Sequence, residues 1–178
     1  MIFLTVGTHE PFDRLVRYVD TWCGARAKNE VFGQITKRAE YQPTHFRAVP
    51  TLDPDQYQKH FSSADFIISH AGMGSIITAL SMQKPIVILP RRGHLQETRN
   101  DHQFATLQHF RSRPGIFAAE DEDELSAILH RLADGLANGQ ADGQAGGNIT
   151  PAQEIPAFAD EQLIGALRDF IHGPAGPD

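Results

Sequence analysis

The sequence lacks the features of a secreted, membrane-spanning or nucleic-acid-binding protein. It has one cysteine, Cys23, so no disulfide can form within the chain. No apolar run approaches the roughly 18 residues of a spanning helix, and Ile2–Val6 is too short for a secretion signal. A formal net charge of −6 argues against a general nucleic-acid surface. These absences predict a cytoplasmic globular chain, recruited to the membrane only through a partner or a surface patch.

Two ligand-binding patterns are also missing. The sequence contains no obvious cluster of metal ligands, so we expect no bound metal. The first loop, Gly7–Phe12, lacks the G-x-G-x-x-G pattern that marks a dinucleotide-binding turn. A tightly held cofactor is therefore not expected, and a dinucleotide-binding fold is a weak alternative.

Short apolar runs alternate with segments of helical periodicity over residues 1–137. Ile2–Val6 is typical of a buried parallel strand, and Asp13–Trp22 has its apolar residues at helical spacing. Further strands are predicted at 31–35, 46–49, 65–69, 85–89 and 115–118, and further helices at 54–62, 75–82, 100–110 and 122–136. This alternation predicts an α/β fold, a Rossmann-like parallel sheet with helices on both faces.

The last 41 residues differ in character from the rest. The segment 138–157 begins with a stretch rich in Gly, Ala, Gln and Asn and without apolar periodicity, which predicts a flexible linker. Helical spacing returns at 158–172, which we expect to dock as a terminal helix on the domain formed by 1–137.

A glycine-containing loop, Ser69–Ser75, joins the fourth strand to a helix. Such loops line the ligand crevice of parallel sheets, and a helix start offers free N–H groups to a phosphate. Gly72 and Gly74 let the backbone approach an anion and adopt positive φ, while Ser75 caps the helix or donates to a phosphate. His70 is a further donor. The alternative is a tight strand-to-helix turn with a structural histidine.

A polar loop rich in arginine, residues 90–103, follows the fifth strand. Its carboxylates Glu97 and Asp101 are of the type that accepts from adjacent sugar hydroxyls, and Gln103 offers both a donor and an acceptor. Its arginines suit a negatively charged ligand. The alternative is a solvated loop in which Asp101 caps the next helix.

The first loop, after Val6, faces the same predicted crevice. Gly7 permits a sharp turn, Thr8 can donate to a phosphate, and His9 is a candidate general base.

Taken in order, Val6–Thr8, Ser69–Ser75, Lys84–Pro90 and His102–Gln103 resemble the C-terminal, donor-binding domain of glycosyltransferase family 28, a GT-B family. The resemblance covers roughly residues 1–135. Within it, the chain is similar to small subunits of two-component transferases, and the 90–103 loop looks like that of the PssE-type subunits of bacterial exopolysaccharide assembly.

The resemblance implies a UDP-sugar donor that is a substrate rather than a cofactor. It assigns the diphosphate to Thr8, His70, Gly72, Gly74 and Ser75, and the sugar to Gln103 and His102. The uracil would lie near Val49, Pro50 and Leu52. Larger relatives often have a ribose-binding glutamate where this chain has Thr78, so Glu97 or another carboxylate such as Asp101 is expected to take that role.

The resemblance also implies a second half that binds the acceptor. We expect a membrane-anchored partner subunit that presents a lipid-linked saccharide and supplies the base, with His9 as the candidate within this chain. Transfer would be inverting and metal-independent, and the arginines are of a kind that pairs the carboxylate of a glucuronosyl donor. The alternatives are a non-catalytic nucleotide-sugar-binding regulator and an autonomous enzyme such as an epimerase.

Overall fold

The computed structural model describes residues 1–26 and 30–137. The predicted linker at 138–157 and the terminal helix at 158–172 lie outside the described residues. The strands are β1 Ile2–Thr5, β2 Val31–Gln34, β3 Arg47–Val49, β4 Phe66–His70, β5 Ile86–Leu89 and β6 Ile116–Ala118. The α-helices are α1 Asp13–Gly24, α2 Pro54–Ser63, α3 Met73–Ser81, α4 His102–Phe110 and α5 Glu122–Ala137, with a short 3₁₀ turn at Gly93–Leu95.

The six strands form one parallel sheet in the order β3-β2-β1-β4-β5-β6. Alternate residues of the central strands enter two separate cores, because successive side chains on a strand point to opposite faces. Leu4 and Ile68 pack under α1 and α5, whereas Phe3 and Ile67 pack under α2, α3 and α4. The predicted Rossmann-like fold, with helices on both faces, is confirmed.

The strand order reverses between β1 and β4, which are neighbours in the sheet although they are far apart in sequence. The connections leave this point in opposite directions, so the loops after β1 and β4 separate and open a crevice at the carboxyl ends of the strands. The first loop and the glycine loop therefore lie on either side of this opening.

Helix boundaries depend on local capping. Asp53, directly before Pro54, caps α2, and its carboxylate accepts from the Gln56 N–H at 2.8 Å. Of the two roles considered for Ser75, the helix cap is wrong, because α3 begins two residues earlier, at Met73, and Gly72 occupies the cap position. Ser75 instead lies within the first turn. Within residues 1–26 and 30–137, no helix is long and apolar enough to cross a membrane.

Candidate functional site

A cleft of about 350 Å³ opens at the point where the strand order reverses. The first loop forms one wall and the start of α3 forms the other. Its lining residues are Val6, Gly7, Thr8, His9, Glu10, Gln34, Tyr57, His70, Gly74, Ser75 and Arg91. The structure thus brings together four of the five residues predicted to hold a diphosphate.

The fifth, Gly72, makes room for the His70 ring. A Cβ on Gly72 would lie 2.2 Å from Nε2 of His70, and a Cβ on Gly7 would lie 3.2 Å from Cε1. The imidazole is therefore held between two glycines that cannot be replaced without moving it. The positive φ predicted for Gly72 and Gly74 is wrong: Gly72 has φ −98° and Gly74 is helical. The left-handed residue is Gly7, with φ +86°, at the predicted sharp turn.

The same packing keeps His70 uncharged. Burial lowers the pKa of His70 to about 4, and the positive charge of Arg91 acts in the same direction. His102 adds a smaller effect of the same sign. At neutral pH the ring therefore carries no charge, and it can take part in one hydrogen bond as donor and one as acceptor.

The start of α3 is open towards the cleft. The first N–H groups of a helix have no partner within the helix, and no side chain of the described residues caps those of α3. A Cβ added to Gly74 would meet nothing within 4 Å, which shows empty space beside that residue. Ser75, 7% exposed, lies one residue further along. Free N–H groups at the positive end of a helix form an anion site.

An apolar cavity of about 380 Å³ adjoins Thr8. It is lined by Thr8, Gln34, Leu52, Pro54, Tyr57, Gln58 and Met82. Of the three residues predicted to contact uracil, Leu52 lines this cavity and also a second one that it shares with Val49, whereas Pro50 is exposed. The uracil prediction stays a prediction, and Leu52 is the member that the geometry favours.

Gln34 and Tyr57 are site residues that the sequence reasoning missed. The Gln34 amide donates to Gly7 O at 3.2 Å and accepts from the Leu52 N–H at 3.0 Å, so it links the first loop to the apolar cavity. Burial raises the pKa of the Tyr57 hydroxyl, whose hydrogen bonds to Thr5 and Ser75 act in the opposite direction. Neither residue belongs to a motif, and only the parallel pairing of β1 with β2 could have predicted Gln34 beside the loop.

The exposed side chains of the first loop lie at the mouth of the cleft. Thr8 Oγ1 and His9 Nδ1 are 2.9 Å apart and hydrogen-bond to each other. A neighbouring cavity of about 570 Å³ is lined by both residues, by three cations, Lys37, Arg38 and Arg99, and by the carboxylate of Glu10, which pairs with Arg38. Lys37 and Arg38, which follow β2, belong to no sequence motif and were not predicted as site residues.

The carboxylate of Glu97 is bound within the protein. Arg14 donates to its two oxygens at 2.7 and 2.9 Å, and the Arg92 N–H donates to one of them at 2.9 Å. Arg14 also contacts Pro90 O and Glu122, so the network ties the 90–101 loop to α1 and α5. This arrangement counts against Glu97 as the ribose ligand, because its oxygens already accept three hydrogen bonds. The ribose role stays an untested prediction.

The other residues predicted to contact sugar also bond within their loop. Gln103, 4% exposed, accepts from the Arg91 N–H at 3.1 Å. Asp101 occupies the N-cap position of α4, as the alternative interpretation expects, but its side chain accepts from the Gly93 N–H at 2.8 Å and makes no capping bond to the helix. His102 is exposed and its ring pairs with Asn100. These contacts give Gln103 and Asp101 a positioning role, and their predicted sugar contacts stay predictions.

Arg91 is buried, unlike a typical arginine of a solvated loop. It is 6% exposed, and its Nη2 donates to Val6 O at 2.8 Å and to Glu10 O at 2.6 Å. Within the described part of the chain its Nε is buried without a hydrogen-bond partner. Arg91 therefore holds the first loop in place while its charge faces the cleft.

The match to a known family agrees with this geometry. The model of the glycosyltransferase family 28 C-terminal domain matches residues 1–144. The chain belongs to this family. Among the described residues of this family 28 domain, no group of three histidine, cysteine or acidic side chains could hold a metal ion.

One curated relative is a transferase subunit. The UDP-N-acetylglucosamine transferase subunit ALG13 of Mus musculus is 31% identical over 124 residues, which is 65% of this chain. The family 28 domain described here spans about a tenth of that relative, since the match covers 10% of its length.

Two solved structures show distant likeness. The glycosyltransferase SnogD from Streptomyces nogalater has a TM-score of 0.39 and 19% identity, over 52% of this chain and 26% of SnogD. The second structure concerns EarP-mediated arginine glycosylation of translation elongation factor EF-P. It has a TM-score of 0.39 and 16% identity, over 74% of this chain and 44% of that one. Both likenesses are too distant to add to what the strand order shows.

Proposed function

We propose that this family 28 domain binds the UDP-sugar donor of an inverting, metal-independent glycosyltransferase whose acceptor site lies on a separate subunit. The observation that carries the proposal is the open start of α3, which together with the uncharged His70 lines a cleft at the reversal of strand order. Membership of the family supports a glycosyltransferase role, and the subunit name of the curated relative supports a shared enzyme.

In this proposal the diphosphate occupies the cleft. The free N–H groups of α3 and the hydroxyls of Thr8 and Ser75 donate to its oxygens, and Gly74 leaves space for them. The His70 N–H is a further donor. These groups are fixed before the donor arrives, so they stabilise the charge that develops on the departing UDP without rearranging. The uracil enters the apolar cavity beside Leu52 and Tyr57.

The transferred sugar would project from the diphosphate towards the mouth of the cleft. His9 lines the cleft and is exposed, whereas Asp101 and His102 are exposed at the start of α4, where Gln103 is buried. The cavity that Lys37, Arg38 and Arg99 line supports a donor with a carboxylate, such as a glucuronosyl group, because Lys37 and Arg99 would pair it, while Arg38 already lies 3.7 Å from Glu10. We extend the proposal to exopolysaccharide biosynthesis on the strength of the 90–103 loop, with no nucleic acid as ligand.

The acceptor and the base are proposed to come from a membrane-anchored partner that binds a lipid-linked saccharide at the cytoplasmic face. Glycosyl transfer requires donor, acceptor and base in one geometry. The cleft is open on one side, and a facing half would exclude the water that otherwise hydrolyses the donor. His9 is exposed in the first loop and is the candidate base within this chain.

The test is a transfer assay with UDP-sugars and membranes, with and without the candidate partner. We expect no transfer by this chain alone and transfer when the partner is added. Robust transfer in membranes that lack the partner would contradict the two-subunit proposal, and His9→Ala would then test the base. Binding of UDP without transfer under any condition would favour the regulatory alternative.

A further inference from the structure

The cleft that faces the start of α3 contains little positive charge of its own. The predicted diphosphate ligands are hydroxyls, backbone N–H groups and the imidazole of His70, whose pKa is lowered to about 4 by burial. Glu10 also lines the cleft and adds a negative charge. Of the described residues that line it, Arg91 is the one permanent cation.

The surroundings of Arg91 do not neutralise it. Its two hydrogen-bond acceptors are backbone carbonyls, and no carboxylate of the described residues bonds to it. Glu97 and Glu10 act on Arg91 only through space, and Glu97 is itself bound to Arg14. Burial outweighs their effect and lowers the pKa of Arg91. A buried charge without a bonded partner is costly, and a bound anion removes that cost.

We propose that Arg91 is the counter-ion of the donor diphosphate and at the same time fixes the first loop through Val6 O and Glu10 O. This inference rests on the proposed function and adds a charged residue to a set that otherwise offers uncharged donors. Phe12 supports it from behind, since the guanidinium carbon lies 5.2 Å from the centre of that ring. The Gln103 amide fixes the Arg91 backbone, which gives that buried glutamine a reason to be near the site.

The two tasks of Arg91 predict different responses in two variants. Arg91→Gln removes the charge, whereas Arg91→Lys keeps a charge but ends one bond short of Nη2, the atom that donates to both carbonyls. If the charge binds diphosphate, Arg91→Gln weakens binding of UDP by about tenfold to a hundredfold, which corresponds to the loss of one charge-assisted bond. Binding of uridine, which has no phosphate, changes less than about threefold. Arg91→Lys falls between the wild type and Arg91→Gln for UDP.

Arg92→Gln is the matched control, because its guanidinium donates to Glu120 O and stacks on Phe104, away from the cleft. We expect this variant to bind UDP as the wild type does.

A second readout is the titration of His70 by NMR. The pKa of His70 rises in Arg91→Gln, because a repelling charge has been removed, and is unchanged in Arg92→Gln.

The experiment is calorimetric titration of the four proteins with uridine, UDP and inorganic pyrophosphate. If Arg91→Gln loses uridine and UDP binding equally, or loses neither, the counter-ion role is overturned. The proposed function is still supported in that case, provided that the wild type binds UDP. Pyrophosphate binding that depends on Arg91, without preference for UDP, would keep the counter-ion and overturn the nucleotide donor. Failure of the wild type to bind either UDP or pyrophosphate would overturn both.

Discussion

The glycine loop and the 90–103 loop carry similar sequence signals but differ in how their polar groups are used. In the glycine loop the N–H groups of α3 and the space beside Gly74 are open. In the other loop Glu97, Asp101 and Gln103 bond to Arg14, Gly93 and Arg91. A sequence gives the hydrogen-bonding capacity of a residue, but only the fold decides whether a neighbour has already taken it.

The difference follows from what each loop must hold. A short loop that enters a helix can leave its donors free, because the helix itself fixes the backbone. The longer loop has a single 3₁₀ turn and needs side chains to order it. Arg14 supplies that order from α1, 83 residues away in sequence from Glu97. We infer that the first loop and the glycine loop bind the donor, whereas much of the 90–103 loop supports them.

Gly72→Ala should have the largest effect on stability and UDP binding. It tests the contrast between the space beside Gly72, which the His70 ring fills, and the open space beside Gly74. Its Cβ would overlap the His70 ring, so we expect a loss of about 3 kcal/mol in stability and more than tenfold weaker UDP binding. Gly74→Ala is the control: it fits sterically and should keep the stability or raise it slightly, while it weakens UDP binding. Chemical denaturation and calorimetry measure the two effects, and equal stability of both variants would show that His70 is not held as described.

Acid should destabilise the protein through His70. Because its folded pKa is depressed to about 4, the unfolded chain takes up the proton first as the pH falls below about 6.5. Stability is then lost between about pH 6.5 and 4, by up to about 3 kcal/mol, and is full above that window. His70→Gln should flatten the curve in this window. Burial alone would raise the pKa of Asp20, but its hydrogen bonds lower that pKa to about 2. The stability that Asp20 contributes is therefore lost at a lower pH, below about pH 4.

Glu97→Gln should reduce stability by about 1–2 kcal/mol, because it weakens the charge-assisted bonds that tie the loop to α1. Thermal or chemical unfolding measures this loss, and Arg14→Gln should resemble it. A Glu97→Gln variant with unchanged stability and weaker UDP binding would restore Glu97 to the ribose role and remove the contrast between the loops.

Asp101→Asn should have the smallest effect, less than about 1 kcal/mol, because the side chain is exposed and an amide oxygen can still accept from Gly93. UDP binding measured in parallel decides its predicted sugar role. A loss of affinity for a UDP-sugar, with UDP binding unchanged, would support a contact with the sugar.

Periodicity predicted the strands, the helices and the face on which the loops meet, because apolar spacing follows directly from the geometry of a two-sided parallel sheet. It could not predict the partners of Glu97 and Gln103, which are brought together by packing of distant elements. Gly7 was predicted correctly as a turn, while the reason for Gly72 is the His70 ring and not its φ angle. Gln34 and Tyr57 were missed because no motif marks them.

The central claim is that the cleft binds a nucleoside diphosphate without metal, and titration with UDP in the presence of a chelator tests it most directly. We predict saturable binding that is unchanged by the chelator and weakened more than tenfold in Gly72→Ala, with uridine bound more weakly than UDP. A strict metal requirement would contradict the mechanism, and the absence of UDP binding under both conditions would contradict the account.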